Sequence, residues 1–302
     1  MNPEGDAGQP RGGKSREAVL WVVAAVLMLA AAGYQRHTGP SYPTTGDFEV
    51  DGRSFEYALI RNELTSRDAK VAIADPGGGI SGTLFYKRYR TADDFTAVGL
   101  ANIDGELVAW IPAQPAAGKV EYFLILDTPA GRVPVPDELS GNVVIRFKDP
   151  VPLHVLLPHI LSMFIAMLIG VRAGLAAVFS PGSMRRLVWI GLAVMTVGGL
   201  VLGPIAQKYA FGAYWTGFPF DYDLTDNKVL IMWLVWLTAC AVVGFEPRRS
   251  EGWARLAVVL AALVMVGVYV IPHSARGTEL DYELLEQGVP PSEALKSGRQ
   301  GS

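Results

Sequence analysis

Cysteine is almost absent from this chain: Cys240 is the only one in 302 residues. No disulfide framework can form within one chain, and the place of Cys240 inside an apolar run marks it as a packing side chain. Histidine is scarce too, with His37, His154, His159 and His273 making the full set. Charged residues are thin at 18%, and they nearly cancel, to a net −3. That balance gives no reason to expect a nucleic-acid partner. GxSxG, HExxH and P-loop patterns are missing, which removes the usual signatures of soluble hydrolases and nucleotide-binding enzymes. No internal repeat is detectable, so the matched halves of many transporters have no support either.

Apolar residues, by contrast, make up 50% of the chain, and they are gathered in blocks. Five stretches approach the roughly 20 apolar residues needed to cross a bilayer. They begin at Ala18, Val151, Leu187, Val229 and Trp253. The first could also be read as a secretory signal, because Arg11, Lys14 and Arg16 precede it. An uncleaved anchor over 18–34 fits better, since Tyr34, Gln35 and Arg36 make a poor cleavage context. Basic residues set the orientation. Arg11, Lys14 and Arg16, then Arg172, Arg185 and Arg186, then Arg248, Arg249 and Arg255 all fall on one side of five alternating crossings. The expected layout is a cytoplasmic segment 1–17, the anchor, an exported β domain over 46–148 and a four-helix membrane domain over 151–273. An exported connection at 204–227 and a flexible exported tail at 274–302 complete it. In a bacterial cell this is a multi-pass protein of the inner membrane.

Between 46 and 148 the pattern changes to short runs of β-formers separated by turn signals. "SFEYALI", "AKVAIA", "GTLFYKRY", "ELVAWI", "KVEYFLIL" and "NVVIRF" are each of strand length. Alternation in "KVEYFLIL" puts Val120, Tyr122 and Leu124 on one face and Glu121 and Phe123 on the other. Asp93 and Asp94 read as a solvated turn. An antiparallel sandwich is the expected result. The order of these segments resembles immunoglobulin-like or fibronectin type III-like modules, which implies a partner-binding or spacer role. The fold class is therefore a five-helix membrane bundle with an inserted all-β immunoglobulin-like sandwich.

The connection between the third and fourth spans is the most unusual stretch. Seven of the fourteen residues from Tyr209 to Tyr222 are aromatic. Such rings suit the headgroup level of a membrane, and they also suit a wall for a flat ligand. In "DYDLTDNK", Asp221, Asp223 and Asp226 have the oxygen chemistry of cation ligands but not the spacing of a calcium loop. Thr225, Asp226 and Asn227 are better placed to cap the fourth span, and Asp149 to cap the second. Gly199 and Gly203, four apart, permit close helix contact.

His159 falls within an apolar span, where an ionisable side chain marks a functional candidate. Five residues separate it from His154, which turns the two rings about 140° apart on a helix. One of them facing His273 is the more plausible pairing. Two imidazoles can ligate a haem iron. Phe211, Tyr214, Trp215 and Phe218 would then serve as walls, and Lys208, Lys228 and Arg276 as propionate partners.

The series "LHVLLPHILSMF", "YAFGAYW" and "GVYVIPHSARG" over residues 154–277 resembles the haem-handling membrane proteins of cytochrome c biogenesis. That resemblance implies haem b near the exported face, with His159 and His273 as metal ligands and a role in electron transfer or haem handling. Phe211 stands where that family has its first tryptophan, no Trp-Asp pair occurs, and the helix count is lower. The alternative function is a cofactor-free scaffold that captures a membrane or periplasmic protein through residues 46–148, with the lipid bilayer as its other contact. No reaction follows from the residues.

Overall fold

Helices form where the apolar runs lie, and each extends beyond its run. The computed structural model describes residues 11–77, 79–246, 251–271 and 277–297, with side chains from residue 15 onward. Helix α1 spans Arg11–Thr38, α2 Leu153–Phe179, α3 Pro181–Met195, α4 Gly203–Phe211, α5 Leu224–Val243 and α6 Gly252–Val270. A π-helical segment, Thr196–Leu202, joins α3 to α4, so Pro181–Phe211 runs as one 31-residue helix. Among the described residues, five helices are long and apolar enough to cross a membrane. The third starts six residues before the expected span and carries on through 204–211. The expected connection of 204–227 therefore shrinks to residues 212–223.

The chain divides into two units. The first comprises Met1–Gln35, His154–Gly203 and Lys228–Ile271, and the second Arg36–Leu153, Pro204–Asn227 and Pro272–Ser302. In the first, small residues let helices approach closely. A side chain at Gly170 would overlap the sulfur of Met265, and one at Gly174 would come within 2.6 Å of Ala262. Gly198 and Gly199 do the same against Ser162 and Val229, each at 2.8 Å. Gly203, expected to share that role, has its nearest neighbour at an ordinary 3.6 Å. Trp236, Met167, Val258 and Cys240 fill the space between, all nearly or fully buried.

Arginines close the helix ends. The last carbonyls of a helix have no partner within it and carry partial negative charge. Arg16 donates to the carbonyl of Phe179, and Arg255 to those of Ala177 and Val178 at 2.5 and 3.0 Å. Arg185 serves Val243 and Gly244 and also pairs with Glu251 at 2.7 Å. Three of the residues that mark orientation in the sequence thus have a local job as caps. Arg248 and Arg249 lie outside the described residues.

Arg172 differs from these because it is 0% exposed. Its guanidinium bonds to Glu17 of α1, and Glu17 also accepts from the Ser180 hydroxyl. The Trp21 ring lies 5.5 Å from the same guanidinium. Nε and Nη1 have no hydrogen-bond partner among the described residues, so Glu17 carries most of the compensation for a buried charge. Helix α1 is therefore joined to the bundle by an ion pair as well as by Leu20, Ala24 and Ala31, which are buried.

The second unit is built on β-strands: β1 Thr44–Val50, β2 Arg53–Leu59, β3 Asn62–Leu64, β4 Ala69–Ala74, β5 Ser81–Arg88, β6 Thr96–Gly99, β7 Ala101–Ile103, β8 Glu106–Ile111, β9 Lys119–Thr128, β10 Gly131–Val135 and β11 Val143–Lys148. One sheet has the order β3-β11-β9-β5-β6, with β10 also on β9, and a second has the order β4-β8-β7. Their inner faces share one core. Val71, Ile73, Leu107 and Ile111 come from the smaller sheet; Leu84, Tyr122, Leu124, Ile145 and Phe147 come from the larger. β1 and β2 form a separate hairpin turned at Asp51 and Gly52, both with positive φ, as a two-residue primed turn requires. The pairing is not wholly antiparallel, because β3 and β11 run parallel.

Two expectations for this unit are corrected. Asp93 is not simply a solvated turn residue. Arg88 donates two hydrogen bonds to it, at 2.6 and 2.8 Å, and these hold its carboxyl down at about 2. The tail is not uniformly flexible either. Residues 277–297 form β12 (Glu279–Leu280), helix α7 (Tyr282–Glu286) and β13 (Leu295–Lys296). Asp281 caps α7 by accepting from the amides of Glu283 and Leu284. Lys119 pairs with Glu279 and Arg88 with Glu286, both at 2.6 Å, and the Tyr282 hydroxyl donates to the Lys119 carbonyl at 3.0 Å. Short polar segments hold their place here because the β core supplies the partners.

Glu17→Gln should lower the stability of the detergent-solubilised protein by about 2–3 kcal/mol, since it leaves the Arg172 charge buried without its partner. The double variant Glu17→Gln/Arg172→Met should recover most of that loss. Thermal unfolding of the two variants beside the parent checks both outcomes.

Candidate functional site

Residues 212–223 leave α4 at Gly212, whose φ of +86° suits glycine, and enter α5 through Asp223. The Asp223 side chain accepts from the Thr225 amide at 2.7 Å and the Asp226 amide at 3.4 Å. Asp223 is therefore the cap that the sequence assigns to Thr225, Asp226 and Asn227. Its other oxygen accepts from both the amide and the hydroxyl of Thr278, each at 2.7 Å.

Asp226 turns back into the loop. It accepts from the Thr216 amide at 2.6 Å, from the Thr216 hydroxyl at 3.2 Å and from the Gln207 amide group at 3.2 Å. The hydroxyls of Thr216 and Thr278 lie 2.8 Å apart and link the two carboxylates. Asn227 accepts from the Phe218 amide at 2.7 Å. Asp221 accepts from the Ser297 amide at 2.8 Å, and the buried Ser297 hydroxyl donates to the Thr216 carbonyl at 2.9 Å.

Among the described residues, a cation from the β core faces this cluster. Arg146 on β11 donates to the Thr278 carbonyl at 2.6 Å and lies 3.9 Å from the centre of the Phe211 ring. Burial draws its guanidinium down to about 10, against the opposing pull of Asp223 and Glu279, so it is charged at neutral pH. The Asp149 amide donates to the Ala210 carbonyl at 3.0 Å, and the Asp149 side chain accepts from Thr65 rather than capping α2.

The carboxylates of "DYDLTDNK" are thus filled by protein donors. Among the described residues no group of three or more histidine, cysteine or acidic side chains could hold a metal ion. Aromatic side chains of the same stretch mostly point away. Tyr214, Phe218, Phe220 and Tyr222 are all exposed, Phe220 at 81%. The Trp215 indole donates to the Phe218 carbonyl at 3.0 Å. Lys208 donates to the Gly212 carbonyl at 2.5 Å and lies 5.5 Å from the centre of the Tyr214 ring.

His154 and His159 belong to the first unit. His154 is exposed on the first turn of α2, and His159 is half-buried one turn further, directly after Pro158. In the first unit, His159 Nδ1 lies 2.9 Å from the Gly198 carbonyl. A carbonyl only accepts, so Nδ1 donates this bond, and Nε2 has no hydrogen-bond partner among the described residues. Gly198 sits in the π segment, where its carbonyl also accepts from the Gly203 amide. Such bulges offer carbonyls to side chains and are frequent at functional sites. Thr196, in the same segment, accepts from the Trp233 indole at 2.9 Å.

The residues expected to form one pocket fall in both units. His159 belongs to the first unit. Lys208, Phe211, Tyr214 and Trp215 belong to the second, and Lys208, Phe211 and Trp215 already hold contacts within it. Lys228 is buried and donates to the Ile271 carbonyl. His273 and Arg276 lie outside the described residues. Thr216, Thr278 and Ser297 were not legible as site residues, because isolated hydroxyls carry no spacing signal. No protein-family model matches the chain, and no curated protein matches it in sequence.

Asp226→Ala should strand the buried Thr216 amide and the Gln207 side chain at a cost of about 2–3 kcal/mol. It should also shift Trp215 emission to longer wavelength as the loop opens. Thr225→Ala should do neither, which thermal unfolding and fluorescence of the two variants will compare.

Proposed function

We propose that this is a multi-pass protein of the inner membrane whose exported β unit captures a protein partner, so that the chain acts as a membrane scaffold. One observation carries the reading. On the outer face of the larger sheet, Phe85 and Phe123 are directly paired across β5 and β9 and stack at 5.1 Å, with Phe95 packed edge-on to Phe123 at 5.2 Å. Lys87 and Glu121 border them, 3.7 Å apart. A cluster of aromatic rings with a charged rim is the composition of a protein-binding centre. The strand orders β3-β11-β9-β5-β6 and β4-β8-β7, with β3 and β11 parallel, support an immunoglobulin-like sandwich, a fold that often presents such faces.

A second reading, haem b in electron transfer or haem handling, is favoured by the His159 ring. Metal-ligating histidines commonly donate one ring N–H to a carbonyl and offer the other nitrogen, as the bond to Gly198 does here. His159 would hold the haem iron, with His273 and Arg276, outside the described residues, expected as second ligand and propionate partner. Haem would supply one-electron chemistry, while the π segment would orient the His159 ring. Phe211 and Lys208 fit their expected roles less well, being engaged by Arg146 and by the Gly212 carbonyl.

The tagged protein, purified from native membranes, should carry a partner whose yield falls about tenfold in Phe85→Ser/Phe123→Ser, a loss of about 1.4 kcal/mol. His159→Ala should leave that yield unchanged. Equal capture by the parent and the double variant would remove the scaffold reading. The absorption spectrum of the same sample decides the second: a Soret band that weakens in His159→Ala supports haem, and a colourless folded protein removes it.

A further inference from the structure

The aromatic loop gives the lipid contact of the scaffold reading a definite place. Phe218, Phe220 and Tyr222 are 62, 81 and 62% exposed, yet their backbone is firmly held. The Phe218 amide donates to Asn227, the Phe220 and Asp221 amides to the Gly217 carbonyl, and the Tyr222 amide to the Ser297 hydroxyl. A loop that fixes its main chain and leaves three large rings outward has been shaped to present them.

Chain position says what they meet. Residue 222 lies two positions before Leu224, where a 20-residue apolar helix begins. That length matches the roughly 30 Å of bilayer hydrocarbon, so its first turn marks the boundary between lipid tails and headgroups. Residues 218–222 are at most six positions away, within about 20 Å of chain reach. Asp221 is the only charged residue among 212–222, and it is turned toward the Ser297 amide. Phenylalanine and tyrosine are the residues that settle at this level, their apolar bodies among the upper acyl segments and the tyrosine hydroxyl at the headgroups.

We infer that residues 218–222 are a lipid-interface anchor, with Phe218, Phe220 and Tyr222 seated in the headgroup layer of the bilayer that the helices cross. The inference is independent of what the β unit binds.

Spin labels test it. In a Cys240→Ala background, nitroxides would be placed at Phe218→Cys, Phe220→Cys and Tyr222→Cys, one at a time, in the purified protein in phosphatidylcholine nanodiscs. Leu139→Cys, 100% exposed in the β unit, gives the water reference, and Leu263→Cys, 63% exposed within α6, gives the lipid reference. The ratio of oxygen to nickel-chelate accessibility at the loop sites should exceed that at Leu139 several-fold while staying below that at Leu263. A ratio equal to that at Leu139 would overturn the inference. Exclusion of both relaxants, which means burial against protein, would overturn it equally. Three separate sites keep the test usable if one variant fails to fold, and Leu139 and Leu263 report folding independently.

Discussion

Asp223 and Asp226 join parts of the chain that sequence keeps far apart. The second unit is assembled from three segments, 36–153, 204–227 and 272–302, with membrane-length helices between them. Hydrophobic burial holds the β core together but does not say where the loop and the tail belong. Two buried carboxylates supply that information. One fixes Thr278 of the tail and the other fixes Thr216 of the loop, while Arg146 of the β core holds the Thr278 carbonyl from the opposite side. Buried polar groups are costly when unpaired, so a network of this kind tolerates one arrangement and penalises others. The exposed rings of 218–222 depend on it, because without a fixed main chain they would collapse onto the nearest apolar surface.

The helical unit solves a related problem with cations. Carbonyls at the ends of α2 and α5 need donors, and Arg16, Arg185 and Arg255 provide them. Arg172 goes further by binding α1 through Glu17. Basic residues flanking apolar helices are usually read only as markers of orientation. Here they also determine which helix ends are satisfied, so sequence features used for topology double as packing contacts.

Much of the fold was legible. Apolar runs of near-membrane length located all five helices, and six of the β-strands lie where β-formers cluster. Ends were misjudged where tertiary contact overrides composition. Residues 204–211 continue a helix despite Pro204, Gln207 and Lys208, and residues 277–297 fold because Lys119, Arg88 and Arg146 await them. Short strands such as β3 and β7 carry too few residues to show a period. The site was less legible. Phe123 could be placed on the outer strand face by alternation alone, but its partners Phe85 and Phe95 need the sheet register. Asp226 read as a helix cap because its local sequence allows one, whereas its real partners, Thr216 and Gln207, are set by the loop's path. His159 stood out as an ionisable group in an apolar run, but the π segment that orients it has no sequence signature beyond two glycines.

Amide hydrogen exchange in the full-length protein reaches the central claim most directly. If the two aspartates hold loop and tail to the β core, the amides of Thr216 and Thr278 should exchange as slowly as those of Tyr122 and Leu124 in the middle of β9. Exchange at the rate of the exposed turn around Leu139 would contradict the account, because it would mean that these bonds open independently of the core.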